Sequence, residues 1–216
     1  MKNETASRAL LASLASVLES IFAGTVFSFV AMPQLASATM CAHLVGTCEY
    51  YDCVENELLA CGSRGYTLSY GKFYCEKFEA VRPRSHITPH ERELFPVEWE
   101  QWLSKTANCL HSAIDNYFEA NPFPTCNALR ESAFASHASC YTSGDSFCFL
   151  PPRQIANIGR IISVRGFSRP ETIAQVSETA AICVQQIDNR IRVETSPLSR
   201  LELSTYRNAW ALIAER

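Results

Sequence analysis

"CNALRESAFASHASCYTSGDSFC", residues 126–148, is the stretch on which the fold turns. It puts Cys126, Cys140 and Cys148 in one short span, with His137 three residues before Cys140 and Tyr141 directly after it. Two readings compete. In one, His137 and Cys140 belong to an active site. In the other, the cysteines staple helix ends in an exported protein. Thr125–His137 has a helical pattern, with Ala128, Leu129, Ser132 and Ala135–Ser136 along a small-residue face. A histidine at the end of such a helix is commonly a surface or capping residue.

Residues 137–141, HASCY, resemble the secreted phospholipase pattern, in which a histidine–aspartate pair precedes a cysteine and an aromatic residue. That chemistry needs an acid to orient the imidazole and a calcium loop for the oxyanion. Ala138 follows His137, and no glycine-rich loop lies upstream. A thiol nucleophile at Cys140 would need a free thiolate, for which an even cysteine count leaves no spare. His86 and His90 stand four apart but flank Pro89 in a loop-like segment, so a solvated loop is expected rather than a metal site. G-x-S-x-G, H-E-x-x-H, phosphate-binding glycine loops and EF-hand loops are all missing from the sequence. No residue is assigned a catalytic role, and no metal or cofactor is expected.

Working outward, the strongest helix prediction covers Val97–Phe118. Trp99, Trp102, Leu103, Thr106, Leu110, Ala113, Ile114 and Tyr117 recur there at three- and four-residue steps, and Asn121-Pro122 ends the pattern. A helix from Pro170 carries Ile173, Val176, Ala180, Cys183 and Ile187 on one face. Another follows Ser196-Pro197, with Leu203, Tyr206, Trp210 and Ile213 as its stripe and capping-box form at Ser199–Glu202. Shorter helices are expected at Ile155–Val164, Val54–Ala60 and Phe73–Ala80, and Arg82–Pro96 is expected to be a loop. Few stretches alternate with period two, so no sheet is expected. The expected fold is all-α: a single disulfide-stapled helical domain over residues 39–216.

Residues 1–38 are expected to be a signal peptide. Lys2 and Arg8 precede the apolar runs Ala9–Leu18 and Ile21–Met32, and Ala36-Ser37-Ala38 supplies the small residues before cleavage. A membrane anchor is the alternative, but Glu19 near the middle of the apolar stretch would be costly at bilayer depth. Met40 is too bulky to precede a lipid-modified Cys41. No other run is long enough to span a membrane, so no stable span is expected after cleavage. The only N-glycosylation sequon, at Asn3, falls in the removed segment. A formal charge of −3 and a pI near 6.0 leave no basic surplus, so nucleic acid is not expected as a partner.

All ten cysteines lie beyond residue 38: Cys41, Cys48, Cys53, Cys61, Cys75, Cys109, Cys126, Cys140, Cys148 and Cys183. An even count on an exported chain reads as a disulfide framework, and the absence of C-x-x-C argues against zinc or redox sites. Ten cysteines allow about 945 pairings, so counting alone cannot choose one.

Their order is more specific. Cys109, Cys126, Cys140-Tyr141, Cys148 and Cys183 resemble the core pattern of the stanniocalcin family. The dense upstream set, with four residues between Cys48 and Cys53, has that family's five-cysteine order too. The resemblance implies the family's pairing: Cys41 to Cys53, Cys48 to Cys75, Cys61 to Cys126, Cys109 to Cys140, and Cys148 to Cys183. It implies a secreted, hormone-like factor that binds an extracellular partner, a receptor or a protease, in calcium and phosphate regulation or protease inhibition. The chain departs from the family in its longer intervals around Cys75, its lack of a mature glycan site and its lack of a cysteine after Cys183. The last leaves a non-covalent homodimer as the form in which two chains could associate. A secreted phospholipase-like hydrolase using His137, or an exported structural protein, are the alternatives.

Overall fold

Short, irregular helical turns begin the fold, and long regular helices end it. In the computed structural model, the described residues are 40–81, 88–144, 146–167 and 169–215, without the side chains of 163–167. They fall in one compact unit, Gln34–Arg216. The expected signal peptide and cleavage point, the sequon at Asn3, and His86 lie outside the described residues. No strand occurs among the described residues, and the fold is all-α.

The first helix, α1 (Glu49–Cys53), is barely more than a turn and widens into a π-helical turn over Val54–Leu58. Isolated, such a segment could not nucleate. It is held by what it buries: Tyr50, Tyr51 and Val54 are almost wholly enclosed. Glu55 is buried as well, and its carboxylate accepts from the Gly62 amide and the Thr67 hydroxyl. A second π-helical turn, Thr67–Lys72, runs into α2 (Phe73–Ala80). Gly71 sits against the Tyr51 ring so closely that a methyl group there would clash.

The segment expected to be a loop, Arg82–Pro96, contains a helix, α3 (Pro89–Leu94). Thr88 caps it, its hydroxyl accepting from the Glu91 amide at 3.1 Å. Pro89 occupies the first turn, where its missing N–H costs nothing. The proline that reads as a breaker in the sequence is a helix starter.

The long helix α4 (Trp99–Ala120) begins and ends two residues later than the periodicity suggests. Its inward stripe includes Trp102, Thr106, His111, Ile114 and Tyr117. Helix α5 (Cys126–Thr142) is capped by Thr125, whose hydroxyl accepts from the Ala128 amide at 3.2 Å. It runs five residues past the expected end. Its buried face is Leu129, Ala133, Phe134, His137, Ala138 and Cys140, while Ala135 points to solvent.

After a 3₁₀ turn at Phe147–Phe149, α6 (Pro152–Phe167) leads to α7 (Pro170–Val193) and α8 (Pro197–Ala214). The last two pack side by side and are tied by the Arg207 guanidinium on Asp188, at 3.1 and 3.3 Å. Ser196, rather than Ser199, caps α8, accepting from the Ser199 amide at 3.3 Å. The inward face of α7 differs from the expected one. Thr172, Gln175 and Thr179 turn inward with Ala180, Cys183 and Ile187, and Ile173 is 47% exposed. Ile213 of α8 is partly exposed, at 38%.

Two apolar clusters result. One gathers Tyr50, Tyr51, Tyr66 and Tyr70 against Ile114, Tyr117, Leu129 and Phe134. The other gathers Trp99, Trp102, Phe147 and Leu150 against Ile158, Ile187, Leu203 and Trp210.

Candidate functional site

The ten cysteines close five disulfides, and no cysteine is free. Cys41 joins Cys53 and Cys48 joins Cys75, which fold the first turns back on themselves and onto α2. Cys61 joins Cys126, tying the loop after α1 to the first residue of α5. Cys109 joins Cys140 and locks α4 to α5. Cys148 joins Cys183 and locks the 3₁₀ turn to α7. These pairs coincide with those that the stanniocalcin resemblance implies. Cys140 is therefore a bridge sulfur, not a thiolate.

His137 is not at the surface. Because α5 continues to Thr142, the imidazole lies within the helix on its inward face, 2% exposed. Its Nδ1–H donates to the Ala133 carbonyl at 2.6 Å, and Nε2 faces the Tyr66 hydroxyl at 3.5 Å. Phe134 stacks on it at 5.5 Å, and Tyr70 and Tyr141 present edges at 5.7 and 5.5 Å. Burial pulls its pKa down from 6.5 to about 4, against a smaller upward pull from the backbone hydrogen bonds. It is a neutral ring oriented by a carbonyl, where an acid–base catalyst of the phospholipase type is oriented by a carboxylate.

A second buried histidine, His111, does not stand out in the sequence. It lies on α4 along the same stripe as Thr106 and Ile114, and that register is the one signal that could have found it. The ring is fully buried, stacked on Tyr50 at 4.1 Å and met edge-on by Tyr51 at 4.9 Å. Its Nδ1 accepts from the Gly46 amide at 2.9 Å. Gly46 holds a left-handed φ of +93°, and a side chain there would collide with Asn108. Desolvation lowers the pKa of His111 to about 4, so the ring is neutral and carries its proton on Nε2. Tyr50 donates to Asp115 at 2.6 Å behind it.

Both histidines line a partly open cavity of about 240 Å³ bounded by α2, α4, α5, α6, α7 and α8. Its wall is mostly aromatic and aliphatic, including Tyr66, Tyr70, Trp102 and Ile158. His90, the other half of the expected histidine pair, lies on α3 and meets Glu202 of α8 at 2.7 Å. Cys48, Cys75 and Glu79 lie close enough together to suggest a cation site, but the two sulfurs are bonded to each other and offer no thiolate.

Comparison with known proteins finds no matching family model, no similar curated protein and no similar solved structure. Among the described residues, no helix is long and apolar enough to cross a membrane.

Proposed function

We propose that this chain is a secreted, disulfide-bonded helical factor of stanniocalcin type that acts by binding an extracellular protein, a receptor or a protease. The observation that carries the proposal is the closed framework: five disulfides that use every cysteine and run in the family's order. Such a density of bridges suits an oxidising compartment. It leaves no sulfur for chemistry and uses the cysteines for rigidity, which lowers the entropy lost when a surface is bound.

The outer face of α8 gives a partner something to hold. Leu198, Leu201 and Leu212 share one side of that helix and are 60%, 65% and 65% exposed. Large apolar side chains grouped outside a core mark interaction surfaces more often than scattered ones do. The rival hydrolase finds less support, because His137 is enclosed, neutral and paired with a backbone carbonyl.

The test is inhibition and complex formation. Oxidised protein is titrated into an extracellular metalloprotease, with the Leu201→Glu/Leu212→Glu variant alongside. The proposal predicts a stoichiometric complex that survives gel filtration and is weakened at least tenfold by the double variant. Calcium-dependent lipid turnover that disappears in His137→Ala would contradict it.

A further inference from the structure

The cavity is apolar, yet unpartnered polar atoms are concentrated in its wall. Thr106 Oγ1, His111 Nε2, Thr172 Oγ1, Gln175 Nε2, Thr179 Oγ1 and Trp210 Nε1 are buried without a hydrogen-bond partner, and all six residues line it. Each residue is at least nine-tenths buried: Thr106 is 5% exposed, His111 0%, Thr172 2%, Gln175 6%, Thr179 4% and Trp210 5%. They come from three helices, α4, α7 and α8. Buried polar groups in folded proteins are almost always satisfied, so a cluster of exceptions in one place points to something that satisfies them.

The chemistry of the six atoms defines that something. His111 Nδ1 is occupied by the Gly46 amide at 2.9 Å, so Nε2 is a donor. Gln175 Oε1 is occupied by the Tyr70 hydroxyl at 3.4 Å, so its amide nitrogen has donors to spare. The Trp210 indole N–H can only donate, and the three threonine hydroxyls can donate or accept. The strongest unmet demand is therefore for acceptor oxygens. Among the described residues no lysine or arginine lines the cavity, so a carboxylate would enter without a counter-charge and at a heavy desolvation penalty. An apolar cavity of about 150 Å³ is enough to hold benzene; this one, at about 240 Å³, has room for a larger, bicyclic-sized molecule.

We propose that this cavity binds a neutral, mainly apolar small molecule bearing a carbonyl or hydroxyl oxygen, with that oxygen accepting from His111 Nε2 and Gln175 Nε2. The site is separate from the outer face of α8 and does not rest on the partner-binding proposal. Gly159 of α6 marks a way to close it, because it lines the cavity and a Cβ added there meets no atom within 4 Å.

The test uses three probes of matched shape on the oxidised protein, followed by calorimetry: 2-acetylnaphthalene, 2-ethylnaphthalene and 2-naphthoate. The first offers a neutral acceptor, the second none, the third a charge. The proposal predicts one site per chain, with the ketone bound at least tenfold tighter than the hydrocarbon and the carboxylate weakest. Gln175→Leu should erase the preference for the ketone while leaving hydrocarbon binding in place. Gly159→Leu, which removes a glycine from a helix interior and should fold at least as well, should abolish binding of all three. Equal binding of ketone and hydrocarbon would overturn the assignment of the donors. No binding of any probe to the wild-type chain, with Gly159→Leu simply more stable, would show a space filled by water and overturn the site itself.

Discussion

Residues 40–81 and residues 170–214 solve the same problem in opposite ways. The first region is built of helical turns a few residues long, two of them π-helical, and three of the five disulfides anchor it. The second is two helices of 24 and 18 residues, joined by a short capped link and touched by one disulfide, Cys148–Cys183. Helix nucleation is costly and propagation is cheap, so long amphipathic helices can be held by packing while short ones need another constraint. In the first region that constraint is covalent, supplemented by stacked tyrosines and the buried Glu55 carboxylate. The lesson is that cysteine density tracks where the backbone is least able to hold itself.

Reduction should break the two regions unequally, with the largest effect of all. On full reduction, amides of residues 40–81 should lose hydrogen-exchange protection while those of α8 keep most of theirs; simultaneous loss in both would end the distinction. The single bridge with most to contribute is Cys61–Cys126, which spans 65 residues. In the chain-entropy account, removing it as Cys61→Ala/Cys126→Ala costs about 4 kcal/mol, readable from the urea midpoint.

Acid should act on the aromatic, disulfide-rich side first, because both buried histidines stand against it. Their folded pKa values are near 4, against 6.5 for an unburied histidine. Between those values the unfolded chain binds protons that the folded chain refuses, so stability is fully present above about pH 6.5 and drains as pH falls toward 4. Each histidine contributes at most about 3 kcal/mol to that slope. His111→Phe and His137→Phe should each flatten the stability–pH curve, measured by urea titration at stepped pH; an unchanged curve in both would remove the histidines from the account.

On the other side, packing holds the helices together. Leu203 is fully buried between α7 and α8, and Leu203→Ala should cost about 3 kcal/mol by urea denaturation. The smallest effect expected is that of Ser196→Ala, which removes the cap of α8 and should cost about 1 kcal/mol by thermal melting.

How much of this is legible in the sequence follows the same division. Trp99–Ala120 and Pro170–Val193 declare themselves through apolar residues at three- and four-residue steps, and their existence is predicted to within a few residues. The inward face of α7 is not, because periodicity counts apolar residues. Thr172, Gln175 and Thr179 sit in register with Cys183 and Ile187 but turn polar atoms into a cavity, which no hydropathy pattern anticipates. His137 is misplaced for a related reason: a helix ended at that residue, five short of Thr142, makes an interior ring look terminal. In the first region the helices are too short for periodicity to mean much. There the cysteine order carries the information, through a resemblance and not through a derivation.

The measurement that bears most directly on the central claim is a disulfide map of the oxidised protein, by mass spectrometry of a non-reduced digest. The account predicts Cys41–Cys53, Cys48–Cys75, Cys61–Cys126, Cys109–Cys140 and Cys148–Cys183, with no free thiol. A free Cys140, or any other pairing, would contradict it and return His137 to consideration as a catalytic group.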